Sequence, residues 1–188
     1  MRLVLLRHGE TTQGGGFRGT LNDALTDIGW QHMLDALPNE LMVDQVISSP
    51  LMRCLSFAEH YAKVHQLPLA IDAAFQEIHF GDWEGRTAEQ LMEHHADQLT
   101  KFWADPFAYT PPNAESTQSF MERVFEGVAK LQQEYANKTL LLVTHAGVIR
   151  LLLARAQGVA LKELLQINVA HADVYHLDFS VKARGDIV

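Results

Sequence analysis

Four apolar residues, Leu3-Val4-Leu5-Leu6, break without a spacer into Arg7-His8-Gly9-Glu10. An uninterrupted apolar run of this kind suits a strand covered on both faces, the condition of strands in parallel sheets. That condition constrains the fold. Parallel neighbours need long crossovers, so helices should alternate with strands and pack on both sides of the sheet. The charged residues then lie at the strand's carboxyl end, where open α/β sheets form a ligand crevice. Arginine offers a planar fork of donors for phosphate or carboxylate, and the adjacent histidine can act as base or nucleophile. Taken alone, the tetrapeptide fits an exposed turn equally well.

The rest of the chain supplies the alternation. Thr26 can cap a helix through about residue 37, with Ile28, Met33, Leu34 and Leu37 facing the core and Pro38 marking its end. Gln45-Val46-Ile47-Ser48 reads as a second strand, followed by Ser49 as N-cap and Pro50 at the first helical position. That helix runs to about residue 65, with Leu51, Leu55, Ala58 and Ala62 on one stripe and Arg53 in its first turn. Leu69-Ala70-Ile71 is a third strand. Thr87 and Gln90 form a capping box that opens a helix to about residue 95, and residues 99–103 form another. Phe120, Val124, Val128, Leu131 and Tyr135 mark the clearest helix. A fourth strand over residues 139–144 breaks into His145-Ala146-Gly147, and a helix begins at once, ending at Gly158. Residues 161–165 read as a short helix and 174–179 as a last strand. The pattern predicts an α/β fold: a three-layer α/β/α arrangement with a mostly parallel central sheet. A chain of 188 residues suits one well-buried core, hence a single domain over residues 1–188.

In such a sheet the strands point their carboxyl ends to one rim, so Arg7-His8, Arg53 and His145, each following a separate strand, should converge there. A net charge of -8 argues against a nucleic-acid partner, and it requires an anion-binding protein to concentrate its cationic donors in one pocket. His145, at a strand-to-helix junction, has a helix N-terminus beside it, a good anion site. Residues 11–20 form a glycine-rich loop without the lysine of a P-loop; it reads as a mobile loop at the crevice with Arg18 available to reach an anionic ligand. Residues 77–85, dense in carboxylates, aromatics and glycines, read as a shaped wall, and the proline-rich stretch 105–116 as a lid or specificity segment. Cys54, the single cysteine, excludes an internal disulfide and reads as a packing residue on a helix. His94-His95 read as solvated side chains, since adjacent helical positions diverge. With no signal peptide and no membrane-length apolar run, the expectation is a cytoplasmic protein without a membrane partner.

Two histidines, several arginines and a carboxylate loop suit phosphoryl transfer. A phosphate monoester resists hydrolysis, with enzymes accelerating such reactions by up to ~10²¹-fold. Most of that catalysis is positioning and charge stabilisation. A neutral imidazole nitrogen can attack phosphorus, while a carboxylic acid protonates the departing alkoxide and then, as carboxylate, takes a proton from water. This division of labour uses no metal and no cofactor, and its partner is a small-molecule phosphate monoester. The sheet argument does not choose among Glu77, Asp82 and Glu84 for the acid.

Leu6-Arg7-His8-Gly9-Glu10-Thr11, Ser48-Ser49-Pro50-Leu51-x-Arg53, Glu77 followed by Phe80-Gly81-Asp82-Trp83-Glu84-Gly85, and Val143-Thr144-His145-Ala146-Gly147 together resemble the histidine phosphatase superfamily, the phosphoglycerate mutase-like proteins. The resemblance covers nearly the whole chain. It implies that His8 is the phosphorylated nucleophile, that Arg7, Arg53 and His145 bind the transferring group, and that Glu77 is the proton donor; Ala146, next to His145, is a further candidate for binding phosphate. Within the superfamily the chain looks most like bacterial α-ribazole phosphatases of cobalamin nucleotide-loop synthesis, which implies α-ribazole 5′-phosphate as substrate. A broad-specificity sugar-phosphate or phosphoglycerate phosphatase and a non-catalytic phospho-ligand-binding regulator are the alternatives. The chain departs from the family pattern in two places. Gly14 stands where many relatives place an asparagine, so Arg18 is expected to substitute, and Pro112-Asn113-Ala114-Glu115-Ser116 replaces a glycine pair before the long helix.

Overall fold

The computed structural model describes residues 1–179. Its sheet has five strands: β1 (Arg2–Arg7), β2 (Gln45–Ser48), β3 (Leu69–Ile71), β4 (Thr139–Thr144) and β5 (Val174–Asp178), in the order β3-β2-β4-β1-β5. β1 pairs in parallel with β4, placing Arg7 beside Thr144, and β2 lies parallel to both β4 and β3. β5 runs antiparallel to β1, so the expectation of a common rim holds for the other four strands and fails for this one. Only edge strands can be left partly open, and β5 is half-exposed where every residue of β4 is buried.

Strand alternation sorts the core into two layers. Leu3, Leu5, Leu140 and Leu142 face α4 (Thr117–Glu134) and α5 (Ala146–Gln157). Val4, Leu6, Leu141 and Val143 face α1 (Asp27–Ala36) and α2 (Met52–His65). Each such side chain contributes roughly 1.5–3 kcal/mol by leaving water. The strand ends that carry the charged residues are therefore anchored from both sides.

Several boundaries differ from the sequence reading. In α1, Met33 and Leu37 are buried as expected, but Ile28 is 62% exposed. Gly29 is the residue that faces inward in that turn, where its backbone lies so close to Glu10 that a Cβ would collide with it. Ile28, one position earlier, is turned to solvent. α2 starts at Met52 rather than Pro50, and its N-cap, Leu51, offers no side-chain bond. Its inward face carries Arg53, Cys54, Phe57, Ala58, Tyr61 and Ala62, so Leu55 falls off the expected stripe. The two helices expected between residues 87 and 103 are present, joined into one run, α3 (Ala88–Ala104), by non-helical backbone at His95, and the first is opened by the predicted Thr87–Gln90 capping box. The short helix after α5 is a 3₁₀ turn, Leu161–Gln166.

α3 packs on neither sheet face. Its Leu91, Leu99 and Phe102 join Trp83, Phe17, Phe80 and Tyr109 in a separate aromatic-rich cluster. Residues 105–116 do not line the main crevice, although Pro106 lines a small cavity beside it with Glu77, Gly147 and Arg150. Thr117 Oγ1 donates to the Pro106 carbonyl at 2.6 Å, Glu115 N donates to His79 O at 2.9 Å, and Asn113 Nδ2 donates to Asp82 at 3.0 Å, so the stretch backs the 77–85 wall from behind.

Candidate active site

Arg7 and His8 leave β1, Arg53 sits in the first turn of α2 beyond β2, and His145 ends β4 as the N-cap of α5. The sheet brings Arg7, His8 and Arg53 to one cavity of about 530 Å³, whose lining also includes Glu77 and Ala146, while His145 is fully buried beside His8. A second cavity of similar size, about 560 Å³, lies at the opposite end of β1 among Leu3, Leu41, Met42 and Leu177, away from these groups.

The two histidine rings stand 5.2 Å apart, tilted by 60°, and both are buried. His8 Nδ1 lies 2.8 Å from the carbonyl oxygen of Gly9. A carbonyl only accepts, so this nitrogen carries the proton and Nε2 keeps its lone pair. Burial first, then the positive charges of Arg53 and Arg7, hold His8 well below the ordinary histidine range. His145 is lowered in the same way by burial and by Arg53, and its Nε2 pairs with Ser49 Oγ at 2.7 Å. Ser49 is thus drawn to His145, accepting from Leu51 N at 3.3 Å, instead of capping α2. The buried Cys54 thiol lies 3.6 Å from His145 Nε2, and burial pushes it up to about 12, consistent with a packing role.

The arginines are held by main-chain carbonyls. Arg7 Nη1 donates to Val169 O at 2.7 Å; Arg53 Nη1 and Nη2 donate to Leu21 O at 2.6 Å and Gly19 O at 2.7 Å. In both, the buried Nε–H has no acceptor among the described residues. An unmatched buried donor costs about 1–3 kcal/mol, so two on neighbouring arginines mark a site built for an anionic acceptor. Glu77 supplies the carboxylate, its oxygens accepting from Ile78 N and Gly147 N, each at 3.1 Å. The Gly147 contact ties it to the first turn of α5, where the helix dipole favours negative charge. A Cβ on Gly147 would run into Glu77 Oε1, so glycine is needed there for this approach.

The structure separates the three carboxylates that the sequence left equivalent. Asp82 turns away to Asn113, and Glu84 accepts the backbone N–H groups of Phe80, Thr20 and Leu21 at 2.9, 2.9 and 3.1 Å. Glu84 and Arg53 therefore clamp residues 19–21 from two sides, one taking N–H groups and the other carbonyls. Arg18 lines the cavity, but its fork closes on Asp23 through Nε and Nη2, both at 2.7 Å. Sequence reasoning missed Arg150, Gln166 and His171, which also line the cavity. Arg150 could have been found, since it lies four residues after Ala146 on the same helix face. His171 sits in irregular chain that carries no periodic signal. Among the described residues, no three His, Cys, Asp or Glu side chains cluster as a metal site. Among the same residues, no helix is long and apolar enough to cross a membrane.

A buried imidazole with a free Nε2, a second buried imidazole beside it, unmatched arginine donors and a carboxylate at a helix N-terminus are an arrangement suited to phosphoryl transfer. The chain belongs to the histidine phosphatase superfamily (branch 1), whose family model matches residues 3–184. It is accordingly a phosphoric monoester hydrolase with the phosphoglycerate mutase-like α/β fold. Over 173 residues it is 33% identical to the adenosylcobalamin/α-ribazole phosphatase of Escherichia coli (strain K12), covering 90% of this chain and 85% of that protein. The α-ribazole phosphatase of Shigella flexneri, a solved structure, superposes with a TM-score of 0.83 at 32% identity, over 95% of this chain and 90% of the other. A glucosyl-3-phosphoglycerate phosphatase of Mycolicibacterium vanbaalenii is 29% identical over 170 residues, 84% of this chain and 74% of the relative.

Proposed function

We propose that the chain is a cytoplasmic, single-domain phosphomonoesterase that works without a metal through a phosphohistidine at His8 and hydrolyses α-ribazole 5′-phosphate. Residues 180–188 of that domain lie outside the described residues. The observation that carries the chemistry is the free Nε2 of neutral His8 beside two arginines with unmatched donors. In the first half-reaction Nε2 attacks phosphorus and the bond to the ester oxygen breaks. Glu77, carrying a proton, gives it to the departing alkoxide. Arg7, Arg53 and His145 hold the transferring group, and the α5 N-terminus at Ala146 faces its charge. In the second half-reaction a water attacks phosphorus, Glu77 takes its proton, and the P–N bond breaks to return neutral His8 and phosphate. Nδ1–H stays on the Gly9 carbonyl throughout and stabilises the positive charge that the ring gains when phosphorylated. Arg18, committed to Asp23, serves through the loop it braces.

The substrate assignment is supported by the likeness to the Escherichia coli and Shigella flexneri proteins and by the aromatic side chains Phe17, Phe80, Phe102 and Trp103 in the cavity. Mixing with ³²P-labelled substrate and quenching in alkali should leave label on the wild type that is released by acid, and none on His8→Ala. Equal labelling of the two would sink the mechanism. The second reading, a broad phosphatase of sugar phosphates and phosphoglycerates, is favoured by the likeness to the glucosyl-3-phosphoglycerate phosphatase. Comparing kcat/KM across α-ribazole 5′-phosphate, ribose 5-phosphate and 3-phosphoglycerate separates the two, and a flat profile favours the broad one.

A further inference from the structure

The cavity has two unlike linings. One is aromatic: Phe80 and Phe102 meet edge to face with ring centroids 6.3 Å apart, and Trp103 beyond them keeps 47% of its surface open. Exposed aromatic faces favour flat ligands. The other lining is polar and comes from the segment before β5. Arg7 Nη1 donates to Val169 O at 2.7 Å, Arg150 Nε to Ile167 O at 2.9 Å, and Ala172 N to His8 O at 3.3 Å. These bonds strap the segment to the catalytic floor and set the His171 ring 5.5 Å from that of His8. Among the described residues, the His171 ring nitrogens, the Gln166 amide and the terminal nitrogens of Arg150 make no hydrogen bond, and all three residues line the cavity.

The donor and acceptor inventory of this lining is informative. An anionic group needs donors only, and Arg150 alone would serve it. A hydroxyl both donates and accepts, so a diol needs acceptors as well. Gln166 offers one, and His171 offers another because packing against the protein and the charge of Arg7 push its imidazole down to about 4, neutral at pH 7. We propose that His171, with Gln166 and Arg150, is a leaving-group subsite that reads the vicinal hydroxyls of a pentose whose base lies against Phe102 and Trp103. The substrate class is then the 5′-monophosphate of an aromatic ribonucleoside. This rests on the phosphomonoesterase reading above and adds residues that determine specificity.

The test uses three substrates: α-ribazole 5′-phosphate, its 2′,3′-dideoxy analogue and phenyl phosphate. Wild type should lose roughly fivefold to tenfold in kcat/KM on the dideoxy analogue, the value of one or two neutral hydrogen bonds. His171→Phe should lose a similar factor on the ribo-compound, mainly in KM, with no further loss on the analogue and less than about a twofold change on phenyl phosphate. His171→Gln, which keeps a donor and an acceptor, should recover most of the difference. An equal loss by His171→Phe on all three substrates, or no loss on any, overturns the subsite. If wild type forms no phosphoenzyme from any of the three, the phosphomonoesterase reading fails and the subsite falls with it, an outcome distinct from a substrate-independent loss.

Discussion

The floor and the walls of the cavity are built by different means. The floor residues, Arg7, His8, Arg53 and His145, leave β1, β2 and β4 within a few residues of their last paired positions. Their places follow from sheet register and from two packed layers of apolar side chains. The walls, residues 14–21 and 166–173, have no ladder to fix them. They are pinned by isolated bonds: Glu84 and Arg53, with the Phe17 backbone paired to Gly85 and Arg86, hold the first, and Arg7 and Arg150, with Ala172 N on His8 O, hold the second. The floor is held by the fold and the walls by a few bonds, three of which come from the site's own Arg7 and Arg53. Changes in the floor should therefore alter chemistry with little effect on folding, whereas changes in the walls should affect binding and local stability together.

The largest effect tests the floor. His8→Ala should lower kcat by at least ~10⁴-fold, as expected when the nucleophile of a covalent mechanism is lost. Thermal unfolding should move little, because the change also removes a buried polar ring that is desolvated without full pairing. Arg53 belongs to both regions and should break the separation. Arg53→Lys cannot hold two carbonyls in a planar fork and still present a third donor. It should cost about 10²–10³-fold in kcat/KM, the usual loss for a transition-state donor, and should also lower Tm. A loss of activity with an unchanged Tm would show that the bonds to Gly19 and Leu21 contribute nothing to the loop. Gly147→Ala comes next. The new methyl must push Glu77 from its hydrogen bond with the α5 N-terminus, so kcat should fall about tenfold or more. Phosphoenzyme should still form from an aryl phosphate whose leaving group needs no proton.

The same division explains what the sequence disclosed. The β1 and β4 runs are apolar on both faces, so their burial and direction were legible, and with them the convergence of Arg7, His8, Arg53 and His145. Glu77 was not separable from Asp82 and Glu84 by pattern, because the choice depends on which carboxylate meets the Gly147 N–H across 70 residues of chain. The role of Ser49 was misread for a similar reason: its local environment is that of an N-cap, but a tertiary partner, His145, takes the hydroxyl. Residues 105–116 have the composition of a lid, yet the cavity's aromatic lining comes in part from the end of α3. His171 lay beyond local reasoning altogether, since arginine bonds to carbonyls carry no periodicity.

A wall prediction of intermediate size follows from Glu84. Glu84→Ala would strand three backbone N–H groups, at a cost of roughly 1–3 kcal/mol where water cannot replace the carboxylate. KM should rise severalfold while phosphoenzyme formation at saturating substrate is largely retained. A fall in kcat with KM unchanged would place residues 19–21 functionally in the floor.

The smallest effect is a stability slope with pH, and it compares floor with wall in one measurement. His8, His145 and His171 all have folded-state values below the ordinary 6.5. The unfolded chain therefore binds protons first as pH falls, and stability rises with pH wherever the unfolded state holds more protons. The contribution of these neutral rings is complete above about pH 6.5 and is lost progressively below it. For His171 the loss levels off near 4, and for the two floor histidines, lowered by burial and by Arg53, it has the same sign. Each fully shifted group adds at most about 1.4 kcal/mol per pH unit, and His171, whose outer edge is open to solvent, adds less. Denaturant unfolding between pH 6.5 and 5 should show the slope, above the range where most carboxylates titrate. His8→Gln should reduce it more than His171→Gln. Equal reductions would mean that the strap is as dry as the floor, and the contrast between the two regions would then lie in their geometry alone.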